Sequence, residues 1–109
     1  MSRDHAPLSA VVFQILLAMA DGHEHGYAIG KAVEELSGLP MGPGTIYGSL
    51  QRMERDGLVE EATARDDDRR KPFVMTEEGR QALSAEAARV DRLAAIARER
   101  DLIPGADGA

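Results

Sequence analysis

The stretch that most constrains the fold is the one that Pro43 and Gly57 bracket. Pro43 suits the first turn of a helix, because its ring presets φ and its missing N–H would have no partner there. Gly57 suits a left-handed stop just past the helix end. Between them Ile46, Leu50 and Met53 recur at helical spacing and fall on one narrow stripe. The stretch therefore predicts a helix that is buried along one side.

The opposite side of this helix carries hydroxyls, an amide, an aromatic ring, two guanidiniums and small residues that let a backbone approach. Its members are Gly44, Thr45, Tyr47, Gly48, Gln51, Arg52 and Arg55. A helix with these two sides suits a groove of DNA. A solvated amphipathic helix fits the same pattern, so the rest of the chain has to decide between the two interpretations.

The composition of the chain limits which kinds of protein it can be. A chain of 109 residues predicts one domain with a modest core. It has no cysteine, which excludes disulfides, thiolate zinc sites and cysteine nucleophiles. We expect a cytoplasmic protein, since no apolar run is long enough to span a membrane. The net charge of −6 weighs against strong attraction to bulk DNA, although binding needs only a locally basic surface.

Two helices are predicted before the bracketed one. The first covers residues 8–20, with Ser9 in reach as its cap, and ends at a turn of aspartate and glycine. The second covers residues 26–37 and stops at a Gly-Leu-Pro sequence. Its expected buried residues are Ile29, Val33 and Leu36.

The periodicity changes after Gly57. Residues 58–63 predict a short strand, residues 65–71 a charged tip, and residues 71–76 a returning strand. Pro72 has no N–H to donate, so we expect the second strand to be an edge at its beginning. Three helices followed by a hairpin form a winged helix-turn-helix. The predicted fold class is therefore mainly α with a small β-hairpin.

A final long helix is predicted from the Thr76 cap to about residue 100, with acidic residues in its first turn. Its apolar stripe at near-heptad spacing consists of Leu83, Ala87, Val90, Leu93, Ala94 and Ala97. A domain of this size cannot cover the whole stripe, which predicts a homodimer; the alternative is a helix folded back onto its own domain. The expected organisation is a DNA-binding domain at 1–76, a C-terminal dimerisation helix at 77–103 and a flexible tail at 104–109.

Five motifs in order resemble one known family. They are Leu16-Leu17-Ala18 with Asp21-Gly22, His25-Gly26-Tyr27, Gly42-Pro43-Gly44-Thr45-Ile46-Tyr47-Gly48-Ser49-Leu50, Glu54-Arg55-Asp56-Gly57-Leu58-Val59, and Thr76-x-x-Gly79. Together they look like the PadR-like transcriptional regulators, in the smaller form with a single short C-terminal helix. The resemblance implies a dimeric winged helix repressor that binds a palindromic operator on double-stranded DNA and is released by a small aromatic or cationic effector.

The resemblance also implies roles for individual residues. Thr45, Tyr47, Gln51 and Arg52 carry over to groove-facing positions, and Arg69, Arg70 and Lys71 carry over to the wing. Gly44 and Arg55 complete the expected DNA-binding set because they lie on the polar side of the helix. The chain departs from the family pattern at Gly48, where a larger and often basic residue is common. It also departs at the wing aspartates 66–68 and in having no tryptophan for an effector site.

Ligand binding is a further hypothesis, with a small hydrophobic or aromatic effector held between two subunits. The expected lining is Val12, Met19, Val90, Leu93 and Ala94. A second alternative is a winged helix that serves only protein interaction or dimerisation, which the acidic balance would suit.

Other patterns favour structure over chemistry. His23 and His25 flank a glutamate, but on a turn they are a poor metal set, and we expect His25 to start the second helix instead. The Gly-Pro-Gly-Thr sequence before the third helix lacks the lysine of a nucleotide loop, so a DNA phosphate is the better ligand. No serine has a paired histidine and aspartate at a suggestive spacing. We therefore expect neither enzymatic activity nor a cofactor nor a metal.

Overall fold

The computed structural model describes residues 5–62 and 71–104 and has the predicted mainly α architecture with a small hairpin. The order of its elements is α1 (Ala10–Ala20), α2 (Gly26–Ser37), α3 (Pro43–Arg55), β1 (Val59–Glu61), β2 (Phe73–Met75) and α4 (Glu77–Glu99). The predicted wing tip lies outside the described residues except for Lys71, and so does most of the predicted tail.

The first helix begins two residues later than predicted. The hydroxyl of Ser9 accepts a hydrogen bond from the backbone N–H of Val12 at 3.2 Å, which makes Ser9 the N-cap and Ala10 the first helical residue. Leu8 therefore lies outside α1. Its N–H donates instead to the carboxylate of Glu86 on α4, at 3.1 Å. The prediction of a start at residue 8 was wrong because Leu8 packs against the core from the segment before the cap.

One apolar core joins the first three helices to the hairpin. Its largest fully buried side chains are Ile15, Leu16, Ile29, Val33, Ile46, Leu50, Met53 and Val59. The stripe predicted for α3 is confirmed, since Leu50 is 0% exposed and Met53 1%. Leu36 was wrongly predicted to be buried, and it is 56% exposed. It lies in the last turn of α2, beside the exposed connection at residues 38–40.

The two strands are shorter than predicted and pair antiparallel, with Val59 opposite Met75. The prediction of an edge at Pro72 was wrong. Pro72 forms a bridge with His25, and the N–H of Phe73 donates to the carbonyl of Glu24 at 2.8 Å. The bridge to His25 needs no N–H from Pro72, because Phe73 is the donor on that side, and the carbonyl of Pro72 still accepts from Ala62 on the other side.

The start of α4 is fixed to the end of α3. The Thr76 hydroxyl accepts from the N–H of Gly79 and donates to the carbonyl of Gly57, whose φ is +83° as the predicted left-handed stop requires. A Cβ on Gly79 would lie 2.0 Å from the carbonyl oxygen of Leu58, so only glycine allows this approach. In the described part of the chain, no helix is long and apolar enough to cross a membrane.

Candidate nucleic-acid interface

The helix α3 has one buried side and one exposed polar side. Its buried residues are Ile46, Ser49, Leu50 and Met53. Gly48 on the opposite side of the helix is half-buried, and the six α3 residues of the expected DNA-binding set are exposed, namely Gly44, Thr45, Tyr47, Gln51, Arg52 and Arg55. The structure thus gathers the predicted helix residues on one accessible surface, which we call the α3 polar face.

Tyr47 is held at the edge of this face by a glycine on α2. Its ring lies over Gly26, where an added Cβ would come within 2.5 Å of the ring carbons. The side chain is still 46% exposed. The absence of a side chain at Gly26 therefore lets the ring and hydroxyl of Tyr47 lie against the start of α2 while the residue stays partly exposed. The same contact explains why glycine, and not a bulkier residue, follows the N-cap His25 at the start of α2.

Arg52 is positioned by its own helix. One of its terminal nitrogens donates to the hydroxyl of Ser49 at 3.2 Å, and the Ser49 side chain is buried. A Cβ on Gly48 would lie 3.6 Å from the other terminal nitrogen. The guanidinium thus lies back along α3, over the turn that contains the glycine.

A cleft of about 400 Å³ separates α2 from α3 beside the polar face. It is lined by Gly26, Tyr27, Gly30, Lys31, Glu34, Met41, Pro43, Ile46 and Tyr47. The chain has two tyrosines, and both line this cleft. Tyr27 is 72% exposed and Lys31 is also exposed, so a hydroxyl and an ammonium reach solvent next to α3.

Sequence reasoning missed Tyr27 and Lys31 as members of this surface. They stand four residues apart on α2, which puts them on one face of the helix. Both are also polar or charged residues in the first half of the helix that precedes α3. Their i, i+4 spacing was the available signal, but it gives only their shared face on α2, and their proximity to α3 depends on how the two helices pack.

The wing carries one described residue of the predicted set. Lys71 is exposed, and its ammonium lies 4.0 Å from a carboxylate oxygen of Glu61 on β1. Arg69 and Arg70 lie outside the described residues, as do the three aspartates. Lys71 is therefore an exposed cation at the start of the returning strand, and the nearby carboxylate of Glu61 offsets part of its charge.

The predicted dimerisation residues divide into two groups along α4. Leu83 packs against the core of its own domain, whereas Val90 is 41% exposed and Leu93 57%. Ala87 is exposed, and Ala94 and Ala97 are half-buried. The described residues that are buried on α4 are Gly79, Ala82 and Glu86. The second half of the helix therefore carries its larger apolar side chains at the surface, and the homodimer stays a prediction.

The predicted effector residues come from α1 and α4. Val12 is half-buried and Met19 buried on α1, and Val90, Leu93 and Ala94 belong to the second half of α4. Met19 lines a cleft of about 280 Å³ with Phe73, Met75 and Arg80, on the hairpin side of the helix. An effector cavity that joins these five residues stays a prediction. Within residues 5–62 and 71–104, no three His, Asp or Glu side chains gather into a metal site.

Comparison with known proteins identifies the fold and the family. Residues 15–85 match the transcriptional regulator PadR-like family. The chain is 37% identical over 89 residues to the transcriptional regulator Rv3488 of Mycobacterium tuberculosis, covering 79% of this chain and 80% of that protein. It is 44% identical over 79 residues to an uncharacterized 37.1 kDa protein in transposon TN4556 of Streptomyces fradiae, which covers 72% of this chain. The chain spans only 22% of the length of that second relative.

A solved structure has the same fold. A PadR family transcription regulator from Clostridium difficile R20291 superposes with a TM-score of 0.75 at 23% identity, covering 84% of this chain and 97% of that one. At that identity the likeness shows the winged helix fold alone. The family match rests on the sequence, and it covers every helix of the described fold at least in part. It is a family of transcriptional regulators and not of enzymes. The chain therefore belongs to the transcriptional regulator PadR-like family.

Proposed function

We propose that the protein is a homodimeric transcriptional repressor that binds a palindromic DNA operator through α3. The observation that carries this proposal is the two-sided character of α3. Its apolar stripe is buried in the core, since Leu50 is 0% exposed, while the six residues of the α3 polar face are all exposed. A helix presented in this way matches the recognition helix of a helix-turn-helix, which lies in the major groove.

The surface around α3 suits the DNA backbone. Tyr27, Lys31 and Tyr47 border the cleft between α2 and α3, and Lys71 stands at the base of the wing. Hydroxyls and ammonium groups are typical phosphate ligands, and phosphate contacts fix the register of a protein on the duplex. We assign these residues to the backbone, together with Thr45 and Arg55. Gln51 and Arg52 are assigned to base edges.

The net charge of −6 determines how strongly the protein binds DNA without regard to sequence. An acidic protein is repelled by bulk DNA, so its non-specific affinity should be weak. A weak background favours a regulator that depends on specific contacts. It equally suits the rival function, in which the winged helix serves only protein interaction.

Enrichment of DNA separates the two functions. The full chain would be incubated with fragments from upstream regions of its host genome, and bound fragments would be sequenced. The proposal expects a short palindrome, with half-sites about 10 base pairs apart from centre to centre. Recovery of fragments without any shared sequence would overturn the proposal and favour the interaction module.

Titrations at several salt concentrations then distinguish backbone contacts from base contacts. Lys31→Ala should weaken binding to all DNA about equally and reduce the slope of log affinity against log salt by about one. Arg52→Ala should remove the preference for the enriched site. Exposed Lys31 and Arg52 lie outside the core, so both variants should keep the melting temperature of the parent. Mobility-shift assays with specific and scrambled fragments give both quantities.

The effector part of the proposal depends on the dimer. Exposed Val90 and Leu93 would meet α1 or α4 of a second copy and close a cavity with Val12, Met19 and Ala94. We propose that a small hydrophobic or aromatic molecule binds there and releases the operator. A rise in melting temperature on adding planar aromatics, absent in a Leu93→Glu variant, would support this site. A rise that Leu93→Glu leaves intact would place the ligand elsewhere.

A further inference from the structure

Arg52 is the first charged residue of α3, although it stands in the third turn. The nine residues from Pro43 to Gln51 carry no charged side chain. A recognition helix meets base edges mainly through its N-terminal half. If the guanidinium of Arg52 lay level with its own Cα, it would be too far toward the C-terminal end of α3 to reach the bases.

The side chain of Arg52 overcomes this distance by lying toward the start of the helix. Long side chains on a helix point back over the preceding turn. Here the guanidinium is held in that direction by its hydrogen bond to the Ser49 hydroxyl at 3.2 Å. The Ser49 side chain is 2% exposed, so its hydroxyl is a fixed anchor and not a mobile surface group.

Gly48 provides the space for this arrangement. The other terminal nitrogen of Arg52 would lie 3.6 Å from a Cβ at this position, which is ordinary contact for alanine. A residue branched at Cβ would take the space that the guanidinium occupies. Gly48 leaves the second turn of α3 without a side chain, and the guanidinium of Arg52 occupies the space beside it.

We propose that Ser49 and Gly48 position Arg52 to read a guanine in each half-site. A guanidinium has five N–H donors, and the bond to Ser49 uses one of them. Two of the others in the fixed fork match the O6 and N7 acceptors of guanine in the major groove, the commonest specific contact between arginine and DNA. Holding the fork in advance reduces the side-chain entropy lost on binding. This inference rests on the proposed function and adds the base and the two positioning residues.

Single-atom changes in the DNA test it. In the palindrome enriched by the full chain, each guanine would be replaced in turn by 7-deazaguanine, which lacks the N7 acceptor. The parent protein should lose affinity by about five- to a hundredfold at one guanine per half-site. Arg52→Ala should bind weakly and show no further loss at that guanine. If 7-deazaguanine reduced the affinity at no guanine of the site, the inference would be overturned. The proposed function would still be supported by the enriched palindrome.

Variants of the two positioning residues complete the test. Ser49→Ala should reduce the penalty at that guanine while the salt dependence of binding stays the same, which a purely structural serine would not do. Gly48→Ala is the matched control and should keep the full penalty, whereas Gly48→Val should reduce it. A full penalty in both Ser49→Ala and Gly48→Val would overturn the positioning roles. An Arg52→Ala variant that weakens all DNA evenly and flattens the salt dependence would show a phosphate contact, and would overturn the guanine assignment.

Discussion

At the scale of single residues, two glycines make close approaches that differ in what stands opposite them. A Cβ on Gly79 would lie 2.0 Å from a backbone oxygen of Leu58, which cannot move without shifting the hairpin. We expect Gly79→Ala to lower the free energy of unfolding by about 3 kcal/mol, at the upper end for overpacked sites. Urea denaturation followed by circular dichroism measures this. Gly44→Ala, whose Cβ would meet nothing within 4 Å, is the control and should not be destabilised. Equal stability of the two variants would contradict the contact.

Gly26 should behave differently, because the atoms opposite it belong to the end of a half-exposed tyrosine ring. In Gly26→Ala the ring of Tyr47 can swing toward solvent, so we expect the free energy of unfolding to change by less than about 1 kcal/mol. Displacing the hydroxyl should nevertheless weaken operator binding.

Tyrosine fluorescence gives a direct measurement at this site. The chain has no tryptophan and two tyrosines, both of which line the cleft between α2 and α3. The intrinsic emission therefore reports on this cleft, and it should change in Gly26→Ala and on addition of operator DNA. In a Tyr47→Ala background the glycine substitution should have no further effect on affinity. Undiminished binding by Gly26→Ala would argue against a backbone contact from Tyr47.

At the scale of elements, a carboxylate joins the N-terminal segment to α4. Glu86 is 8% exposed and accepts hydrogen bonds from the N–H of Leu8 and from the guanidinium of Arg89, which also donates to the carbonyl of His5. Glu86→Ala would leave a backbone donor and a guanidinium without their acceptor, at a cost of about 1–3 kcal/mol in unfolding free energy. Amide hydrogen exchange should show faster exchange at Leu8.

Two further variants sharpen the measurement at Glu86. Glu86→Gln retains a side-chain oxygen and should lose less stability than Glu86→Ala. Asp91→Ala, at an exposed position on the same helix, should leave both the stability and the exchange rate of Leu8 unchanged. If all three variants matched the parent, the Glu86 contacts would contribute nothing measurable to the fold.

The elements that local chemistry determines were predictable from the sequence. Pro43, Gly57 and Thr76 mark helix ends, and the structure places boundaries at each of them. The apolar stripe of α3 was equally clear, because a period near 3.6 is a local property of the chain. What escaped prediction depends on distant neighbours. Glu86 holds the segment at Leu8 from 78 residues away.

The candidate site divides in the same way. The α3 polar face followed from helical periodicity, and its six residues are all exposed as predicted. The hydrogen bond between Arg52 and Ser49 was not predicted, because helical periodicity gives the side of the helix on which a residue lies and not the conformation of its side chain. Tyr27 and Lys31 join the surface only through the packing of α2 on α3. The exposure of Leu36 likewise depends on where the neighbouring helices end.

At the scale of the whole molecule, the exposed second half of α4 is the basis of the dimer prediction. Leu93 is 57% exposed in the single chain, so Leu93→Glu should not disturb the monomer fold. In a dimer it would bury a charge, which costs several kcal/mol, and we expect the assembly to dissociate. Sedimentation velocity at micromolar concentration measures the change. Ala88→Glu, an exposed substitution on the other side of α4, should remain dimeric. A parent chain that sediments as a monomer would contradict the dimer.

The seating of Gly79 on the Leu58 carbonyl has a mechanical consequence for such an assembly. Because no side chain intervenes at Gly79, the first turn of α4 lies directly on the backbone of Leu58, and a tilt of α4 would turn about that contact. A helix of 23 residues is about 34 Å long, so tilting it by about 5° moves its far end by about 3 Å. That displacement is close to the rise of one base pair, about 3.4 Å. In a dimer that pairs through α4, a small change in the angle between the two α4 helices would therefore be large enough to shift one α3 by about one base pair relative to the other.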